Sequence, residues 1–350
     1  MGAEAGDAGR RLSLGVAAGA EWLGPLAGLL AIDQLTDVLV NAGGQVWIDR
    51  GHGLEPAPVT LQGEAEARAL AQALAARAGR RLDDAMPWAA ARLPGGLRAH
   101  VIIPPVAAEG THISLRVLRP ARADLGHLVT TGTVPARWKP VFEALTASGV
   151  GYLISGGTGA GKTTLLAALL SLVPTDERMV LVEDVAELRP WHPHVVRLEA
   201  RQANVEGRGA VTLDDLVRQA LRMRPDRLVV GECRGAEVRG LLAALNTGHS
   251  GGCATVHANS VRDVPARLTA LGGAAGMSPQ ALAAQAAAAL QIVVHIERPQ
   301  GGPRRVRALG VVRLSAEGLL TVHEALTWDG TTEHRGPAWV DLAEHLGLGT

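Results

Sequence analysis

A glycine-rich turn between a short apolar run and a helix-forming run restricts the fold of this chain more than any other feature. The run "GYLIS" is followed by "GGTGAGKTT" (residues 156–164) and then by "LLAALLSL", which matches the pattern G-x-x-x-x-G-K-S/T. A strand, a glycine loop and a helix in this order form a P-loop, in which main-chain N–H groups and the helix N-terminus converge on phosphate oxygens. The predicted nucleotide contacts are Gly156, Gly157, Thr158, Gly159, Ala160, Gly161, Lys162, Thr163 and Thr164.

The two lysines of the chain, Lys139 and Lys162, strengthen this prediction. They are the only lysines among the 34 Lys and Arg residues of the sequence, so a lysine retained in the turn is one whose compact charge is needed. We expect Lys162 to contact the β- and γ-phosphates and the Thr163 hydroxyl to bind Mg²⁺. Neither lysine lies in a guanine-reading motif, so ATP is the expected nucleotide. The structural alternative is a glycine-rich turn that binds no ligand.

Composition argues against several other classes of protein. The formal net charge is zero and the pI is near 7.2, whereas a general nucleic-acid binder normally carries a basic excess. Aromatic residues make up 3% of the chain, too few for a platform on which single strands stack. No apolar run reaches the roughly 20 residues that span a bilayer.

The two cysteines, Cys233 and Cys253, cannot build a disulfide framework, which favours a reducing compartment. "RRLSLGVAAGA" (residues 10–20) resembles an export signal, but it leads into a run at 22–32 with the pattern of an amphipathic helix. We therefore predict a cytoplasmic protein.

The order of strand-like and helix-like runs divides the chain in two. Residues 1–120 carry clustered strand patterns and one strong helix pattern at 63–80, which predicts a smaller α+β domain with an antiparallel sheet. A segment rich in Pro and Gly, residues 121–140, is the predicted linker. From 141 to 350 apolar runs alternate with helices, which predicts an α/β domain with a mainly parallel sheet and a terminal β-hairpin.

Acidic residues follow two of these apolar runs. Glu183 and Asp184 end "MVLVED", with Glu187 one helical turn beyond, and Glu232 follows "RLVVG". Ligands of an open parallel sheet bind outside the carboxyl ends of its strands, so these acids are expected beside the P-loop. Where many hydrolases have an Mg²⁺-binding Asp this chain has Gly231, so we interpret Glu232 as the residue that activates water.

Glu183 and Asp184 are then expected to supply metal and water contacts, and Glu183 is a catalytic candidate in this sense. The predicted Mg²⁺ contacts, some of them through water, are Thr163, Asp184 and Glu187. The alternative interpretation is that these carboxylates only cap turns at the strand ends.

The segment "TGHSGGCATVHANS" (residues 247–260) spaces His249, Cys253 and His257 four residues apart, which suggests a zinc site. Its Thr and Val content favours a strand, along which Cys253 and His257 would lie about 13 Å apart. Ligand atoms that share one zinc lie within about 4 Å of each other, which argues against zinc. We instead expect His257 beside Glu232, donating a hydrogen bond to the γ-phosphate, with His249 structural and Cys253 a small buried filler.

These motifs together resemble the secretion-traffic ATPases of type II and type IV systems, and most closely the branch that assembles Tad/Flp pili (CpaF-like). The resemblance runs from about residue 23 to 326 and is carried by "GGTGAGKTT", "VEDVAEL", "ALRMRPDRLVVGECRGAE" and "NTGHSGGCATVHANS". It implies a PAS-like N-terminal domain, a RecA-like motor domain, a hexameric ring and nucleotide bound between the two domains. One departure is Ser250, which stands where the family usually has an acid.

The resemblance also implies arginines that reach the γ-phosphate from outside the P-loop domain. Arg116 in "ISLR" is the first candidate, followed by Arg119, Arg197 and Arg201. An arginine supplied in this way neutralises developing charge and couples hydrolysis to closure of the domains. The alternative for Arg116 is a strand arginine in a surface ion pair.

The sequence thus predicts a Mg²⁺-dependent ATPase that works as a hexamer with inner-membrane platform proteins to power Tad/Flp pilus assembly or protein secretion. One alternative is a conjugative, DNA-transfer or pilus-retraction motor, and the neutral charge disfavours direct contact with nucleic acid. Another is a scaffold that binds ATP without hydrolysing it, against which Glu232 and His257 argue.

Overall fold

The computed structural model describes residues 20–51, 53–117, 124–201, 203, 207–248, 251–299 and 302–349. Contacts between Cα atoms divide the chain into two compact units. The first comprises residues 1–119 with 203–208, and the second comprises 120–202 with 209–350.

The first unit contains a six-stranded antiparallel sheet with the strand order β3-β2-β1-β6-β5-β4. Its elements are β1 (Asp37–Val40), β2 (Val46–Asp49), β3 (Leu54–Pro56), α1 (Glu64–Arg77), β4 (Trp88–Leu93), β5 (Leu97–Ile102) and β6 (His112–Val117). Helix α1 buries Leu70 and Leu74 against one face of the sheet, because apolar residues recur at helical spacing along it. The predicted antiparallel sheet and the predicted helix at 63–80 are confirmed.

The predicted amphipathic helix at 22–32 is wrong in type. Residues Glu21–Ala31 form a 3₁₀ helix that is interrupted at Gly24, where φ is 54°, and it contains Pro25. A proline inside an α-helix removes a hydrogen bond and clashes with the preceding turn, so the tighter helix replaces the regular one. The arginine pair and residues 10–19 lie outside the described residues.

The second unit is built on a nine-stranded sheet with the order β15-β14-β13-β12-β7-β11-β10-β8-β9. Strands β12, β7, β11, β10, β8 and β9 run parallel, and β13 to β15 add to the β12 edge in antiparallel fashion. The strands are β7 (Tyr152–Ser155), β8 (Met179–Glu183), β9 (Val195–Glu199), β10 (Arg227–Val230), β11 (Cys253–Val256), β12 (Ile292–Glu297), β13 (Arg305–Leu314), β14 (Leu320–Trp328) and β15 (Glu333–Arg335). The predicted α/β class, the mainly parallel sheet and the terminal hairpin are confirmed.

Helices cover both faces of this sheet. Alternate residues of β7 face opposite cores, since Ile154 packs in one apolar cluster and Leu153 in the other. The helices are α2 (Leu125–Thr130), α3 (Lys139–Ala147), α4 (Lys162–Leu170), α5 (Leu213–Ala220), α6 (Glu237–Leu245), α7 (Val264–Ala274), α8 (Pro279–Ala289) and α9 (Trp339–Leu346). No helix within the described ranges is long and apolar enough to cross a membrane.

The segment predicted as a linker, residues 121–140, is largely structured where it is described. Helix α2 is followed by a 3₁₀ turn at Ala136–Trp138, and helix α3 begins at Lys139. Leu128 and Trp138 are buried in one core of the second unit. The Pro and Gly residues of this stretch therefore separate short helices, and the described part is not an extended connector.

Candidate functional site

The glycine turn leaves strand β7 and opens helix α4, as the sequence predicts. Gly161 caps the helix with φ at 103°, a conformation that L side chains rarely adopt. At Gly156 an added Cβ would lie 2.2 Å from the carbonyl oxygen of Ile296, so the turn leaves no room for a side chain there. Both constraints keep main-chain N–H groups unobstructed at the helix N-terminus, which is the chemistry of an anion cradle.

Lys162 begins helix α4, and its side chain folds back over the glycine turn. Its Nζ donates to the carbonyl oxygens of Gly156 and Gly157, at 2.9 Å each. Lys162 is 8% exposed, and burial lowers the pKa of its ammonium, which the negative charge of Glu232 partly offsets. The positive charge is held beside the turn by neutral carbonyl oxygens, and a bound anion would stabilise this charge more strongly.

His257 and Glu232 lie beside this lysine. The Nε2 atom of His257 is 2.6 Å from Oε1 of Glu232 and 3.5 Å from Nζ of Lys162. The short contact lacks hydrogen-bond alignment, because Oε1 of Glu232 has no hydrogen-bond partner within the described chain. Burial, and then the charge of Lys162, lower the pKa of His257, so the ring is neutral at pH 7. The prediction that β11 brings His257 to the edge that carries Glu232 is confirmed.

Arg234 is a member of this cluster that the sequence reasoning missed. Its guanidinium donates to Oε2 of Glu232, and its Nη1 lies 4.0 Å from Oδ2 of Asp184. Arg234 therefore connects the two predicted acidic strand ends. A line of charged and polar groups runs from Lys162 through His257 and Glu232 to Arg234 and Asp184. The only sequence signal for Arg234 is its place two residues after Glu232.

Glu183, at the end of β8, is the most deeply buried acid of the site. It is 3% exposed, its Oε1 accepts hydrogen bonds from the N–H groups of Glu187 and Leu188 at 2.9 Å each, and its Oε2 is buried without a partner in the described chain. Burial raises the pKa of Glu183 to about 7, against the opposing effect of the two N–H donors. An acid that is half protonated near neutral pH can hold or accept a proton.

Gly231 explains how Glu183 fits between strands β8 and β10. A Cβ at position 231 would lie 2.7 Å from Cγ of Glu183, so any side chain there would displace the buried acid. The absence of the common aspartate at this place thus has a structural reason, because the space is taken by a glutamate from the neighbouring strand.

The substitution Gly231→Ala is expected to destabilise the second unit by about 1–3 kcal/mol, the usual cost of overpacking a close contact. Urea unfolding of the purified protein measures the loss. Gly273→Ala is the matched control, since nothing lies within 4 Å of an added Cβ in helix α7, and alanine there should be neutral or slightly stabilising. Equal stability of both variants would show that Glu183 yields to the methyl group without cost.

The other residues predicted for the nucleotide loop and for Mg²⁺ lie in the glycine turn, in the first turn of α4 and after β8. Thr158 is exposed, Thr163 and Thr164 are partly buried in the first turn of α4, and Asp184 and Glu187 are partly buried after β8. Cys253 is fully buried on β11, as expected of a filler. No group of three or more His, Cys, Asp or Glu residues suited to a metal occurs in the described ranges, and His249 lies outside them.

The predicted arginines have separate surroundings. Arg116, on β6 of the first unit, forms an exposed ion pair with Asp37 at 3.2 Å, and its role at the γ-phosphate stays a prediction. In the second unit, Nε of Arg197 donates to the carbonyl oxygen of Leu188 at 3.4 Å, and Nε of Arg201 donates to that of Gly209 at 2.7 Å. Arg119 lies outside the described residues.

Two further arginines lie on the same sheet face as Arg116. Arg92 on β4 is directly opposite Arg98 on β5, which in turn is directly opposite Arg116 on β6. On its other side Arg116 is directly opposite Asp37, with which it forms its ion pair, so the row of three arginines ends at an acid. The sequence could not reveal the row, because it depends on the register of three strands.

Comparison with known proteins points to secretion-system proteins as well. The family model of type II/IV secretion system proteins matches residues 20–302. A Mycobacterium tuberculosis protein named for a suggested role in conjugal transfer is 55% identical over 302 residues, which cover 84% of this chain and 85% of that protein. Type IV secretion system protein PtlH of Bordetella pertussis is 35% identical over 311 residues, covering 79% of this chain and 90% of PtlH.

Solved structures resemble the fold. The ATPase DotB of Yersinia pseudotuberculosis superposes with a TM-score of 0.55 at 18% identity, covering 85% of this chain and 80% of DotB. At this identity the likeness concerns the fold alone, and it confirms the predicted RecA-like architecture, while the PAS-like character of the first unit stays a prediction. From the family match over residues 20–302 and the identity to full-length relatives, this chain belongs to the type II/IV secretion system protein family.

Proposed function

We propose that this protein is a Mg²⁺-dependent ATPase that works as a hexameric ring and powers Tad/Flp pilus assembly or protein secretion at the inner membrane. The observation that supports it most is the contact line Lys162–His257–Glu232, which joins a phosphate-binding turn to a carboxylate able to activate water. The family to which the chain belongs supports the secretion role, and the resemblance to CpaF-like proteins supports the Tad assignment.

The turn suits a triphosphate. Its glycines expose main-chain N–H groups, and the partly desolvated ammonium of Lys162 lies against them. ATP would exchange the two carbonyl contacts of Lys162 for phosphate oxygens, which carry full negative charge and form stronger hydrogen bonds. The predicted contacts from residue 156 to 164 are therefore proposed as the nucleotide site.

Mg²⁺ suits the oxygen donors that are proposed for it. Thr163 supplies a hydroxyl, and Asp184 and Glu187 supply carboxylates, which are the donor types that Mg²⁺ prefers alongside phosphate oxygens and water. When bound, the ion would neutralise charge on the β- and γ-phosphates. The unpartnered Oε2 of the neighbouring Glu183 is a further oxygen that can accept a hydrogen bond from a water ligand.

In the proposed reaction Glu232 accepts a proton from the water that attacks the γ-phosphorus, and ADP and inorganic phosphate leave. His257, neutral at pH 7, donates its Nε2 proton toward the γ-phosphate and so reports whether that phosphate is present. Arg234 orients Glu232 through its other oxygen. Glu183 keeps a proton-accepting group behind the reacting water.

Removal of the imidazole should slow the reaction without affecting any metal. His257→Ala is expected to lower kcat by about 10- to 100-fold, within the range for a group that stabilises transition-state charge. Steady-state ATP hydrolysis measures the change, and elemental analysis of the wild-type protein should show no stoichiometric zinc. Zinc at one ion per chain, lost in the variant, would instead support the metal interpretation of the 247–260 segment.

Two other functions are consistent with the same turn. A nucleotide-gated scaffold would bind ATP without hydrolysis, but it would not need a carboxylate and an imidazole at the lysine. A conjugative motor is favoured by the names of relatives such as the Mycobacterium tuberculosis protein, and it would use the same hydrolysis chemistry. A pilus-retraction motor would do so too.

The cellular role is tested by exchanging the chromosomal gene for the Glu232→Gln allele in the native host. We expect surface pili, seen by electron microscopy, or secreted proteins, seen by mass spectrometry, to disappear while DNA transfer to a recipient continues. Loss of DNA transfer with intact pili and secretion would replace the Tad proposal by the conjugative one. Pilin and platform-protein genes beside this gene would agree with the first outcome.

A further inference from the structure

The glycine turn has two flanks, and the sheet order assigns a different chemistry to each. Strand β7 leads into the turn, with β11 and β10 on one side and β12 on the other. The first flank carries His257 and Glu232. The second flank carries the connection from β12 to β13, whose described residues include Arg298 and Arg304.

Arg304 contacts the turn directly. Its Nε donates to the carbonyl oxygen of Gly159 at 3.0 Å, and its Cδ lies 3.1 Å from the point that a Cβ of Gly161 would occupy. Among the described residues, it is the one side chain from outside the turn with a hydrogen bond to the turn's main chain. The glycine at 161 therefore also makes room for the arginine stem.

The charge of Arg304 is not balanced by an acid. No carboxylate in the described ranges pairs with it, and its pKa is lowered by partial burial and then by the charge of Arg298. Its side chain remains exposed, so its N–H donors are accessible to a ligand. The Arg304 cation is held beside a phosphate cradle without a paired acid, so an anion bound there would stabilise it.

The orientation of the nucleotide follows from the flank that carries His257 and Glu232. The γ-phosphate must face Glu232, because the attacking water is activated there, so the α-phosphate and ribose extend away from that side. The opposite flank is the one that Arg304 occupies. This step rests on the proposed ATPase function.

From this arrangement we infer that Arg304 is a nucleotide-binding residue that holds the α-phosphate end of ATP and ADP, on the side of the turn opposite to the reacting γ-phosphate. It is not a catalytic residue. Its contact is the same with substrate and product, and it therefore contributes uniform binding, which affects KM and not kcat.

The test is the variant Arg304→Gln, assayed for ATP hydrolysis and for binding of ADP and ATP by calorimetry. The KM for ATP and both dissociation constants should rise by about tenfold, the effect of one lost charge-assisted hydrogen bond, with kcat within about twofold of wild type. Arg304→Lys keeps the cation and should recover most of the affinity. Arg239→Gln removes the same charge from the exposed side of α6 and should change nothing.

Unchanged KM and unchanged ADP affinity in Arg304→Gln would overturn the inference. A fall in kcat at saturating ATP, with KM unchanged, would overturn it as well, since it would mean that Arg304 only supports the conformation of the turn. A failure of the ATPase proposal would give a different result from a failure of the Arg304 inference. Nucleotide binding by the wild-type protein would then be absent, or it would be insensitive to Lys162→Ala.

Discussion

Replacing Lys162 by alanine is expected to abolish ATP hydrolysis and to weaken nucleotide binding by at least about 100-fold. The ammonium is positioned to exchange two carbonyl contacts for phosphate oxygens, and each charge-assisted hydrogen bond contributes about 1.5–3 kcal/mol. Since 1.4 kcal/mol corresponds to a factor of ten, two lost bonds give the expected loss. Calorimetric titration with ADP and with ATP measures it directly.

The fold should survive this change, because the buried ammonium is already desolvated and its pKa is lowered by burial. The melting temperature of Lys162→Ala is therefore expected to stay close to that of wild type. Lys139→Ala is the matched control, since Lys139 is the other lysine of the chain and forms only an exposed ion pair with Glu143 at 2.6 Å. A Lys162→Ala protein that binds ATP like wild type would disprove the assignment of the turn as the nucleotide site.

Glu232→Gln is expected to separate binding from hydrolysis. Glutamine keeps the size of the side chain and can still contact Arg234, but it cannot accept the proton of the attacking water. The expected result is a loss of about 10²- to 10⁴-fold in kcat, with ATP affinity equal to or greater than that of wild type. Rapid-quench measurement of phosphate release together with calorimetry gives both quantities from one preparation.

Glu143→Gln serves as the control for this variant, because it removes one exposed carboxylate, which pairs with Lys139 on α3. If Glu232→Gln hydrolyses ATP at the wild-type rate, Glu232 is not the base. Glu183, with its pKa raised to about 7, would then be the better candidate, and Glu183→Gln would be the next variant to assay.

The sequence predicted the elements of the site that follow from local pattern and strand order. The strand, glycine turn and helix around Lys162 are contiguous, and a parallel sheet gathers the carboxyl ends of its strands at one edge. Glu183, Glu232 and His257 were expected beside Lys162 for that reason; His257 and Glu232 meet there, whereas Glu183 is buried against the segment that follows β8 and against Gly231. The spacing of Cys253 and His257 was interpreted correctly as a strand because Thr and Val lie between them.

Other features depend on contacts that no local pattern encodes. Arg234 and Arg304 reach the site from loops, and nothing in their neighbouring residues indicates where those loops end in space. Strand β4 has no clear strand pattern in the sequence, because "WAAARL" is rich in alanine, which has a low preference for strands. The row formed by Arg92, Arg98 and Arg116 requires the register of three strands, which only the folded sheet defines.

The most direct test of the nucleotide site is a crystal structure of the protein with Mg²⁺ and a non-hydrolysable ATP analogue. We predict phosphate oxygens within hydrogen-bond distance of the main-chain N–H groups of residues 157–163 and of Nζ of Lys162, with Glu232 and His257 directed at the γ-phosphate. Triphosphate bound elsewhere, or both side chains directed away from the turn in every subunit, would contradict the proposed motor chemistry.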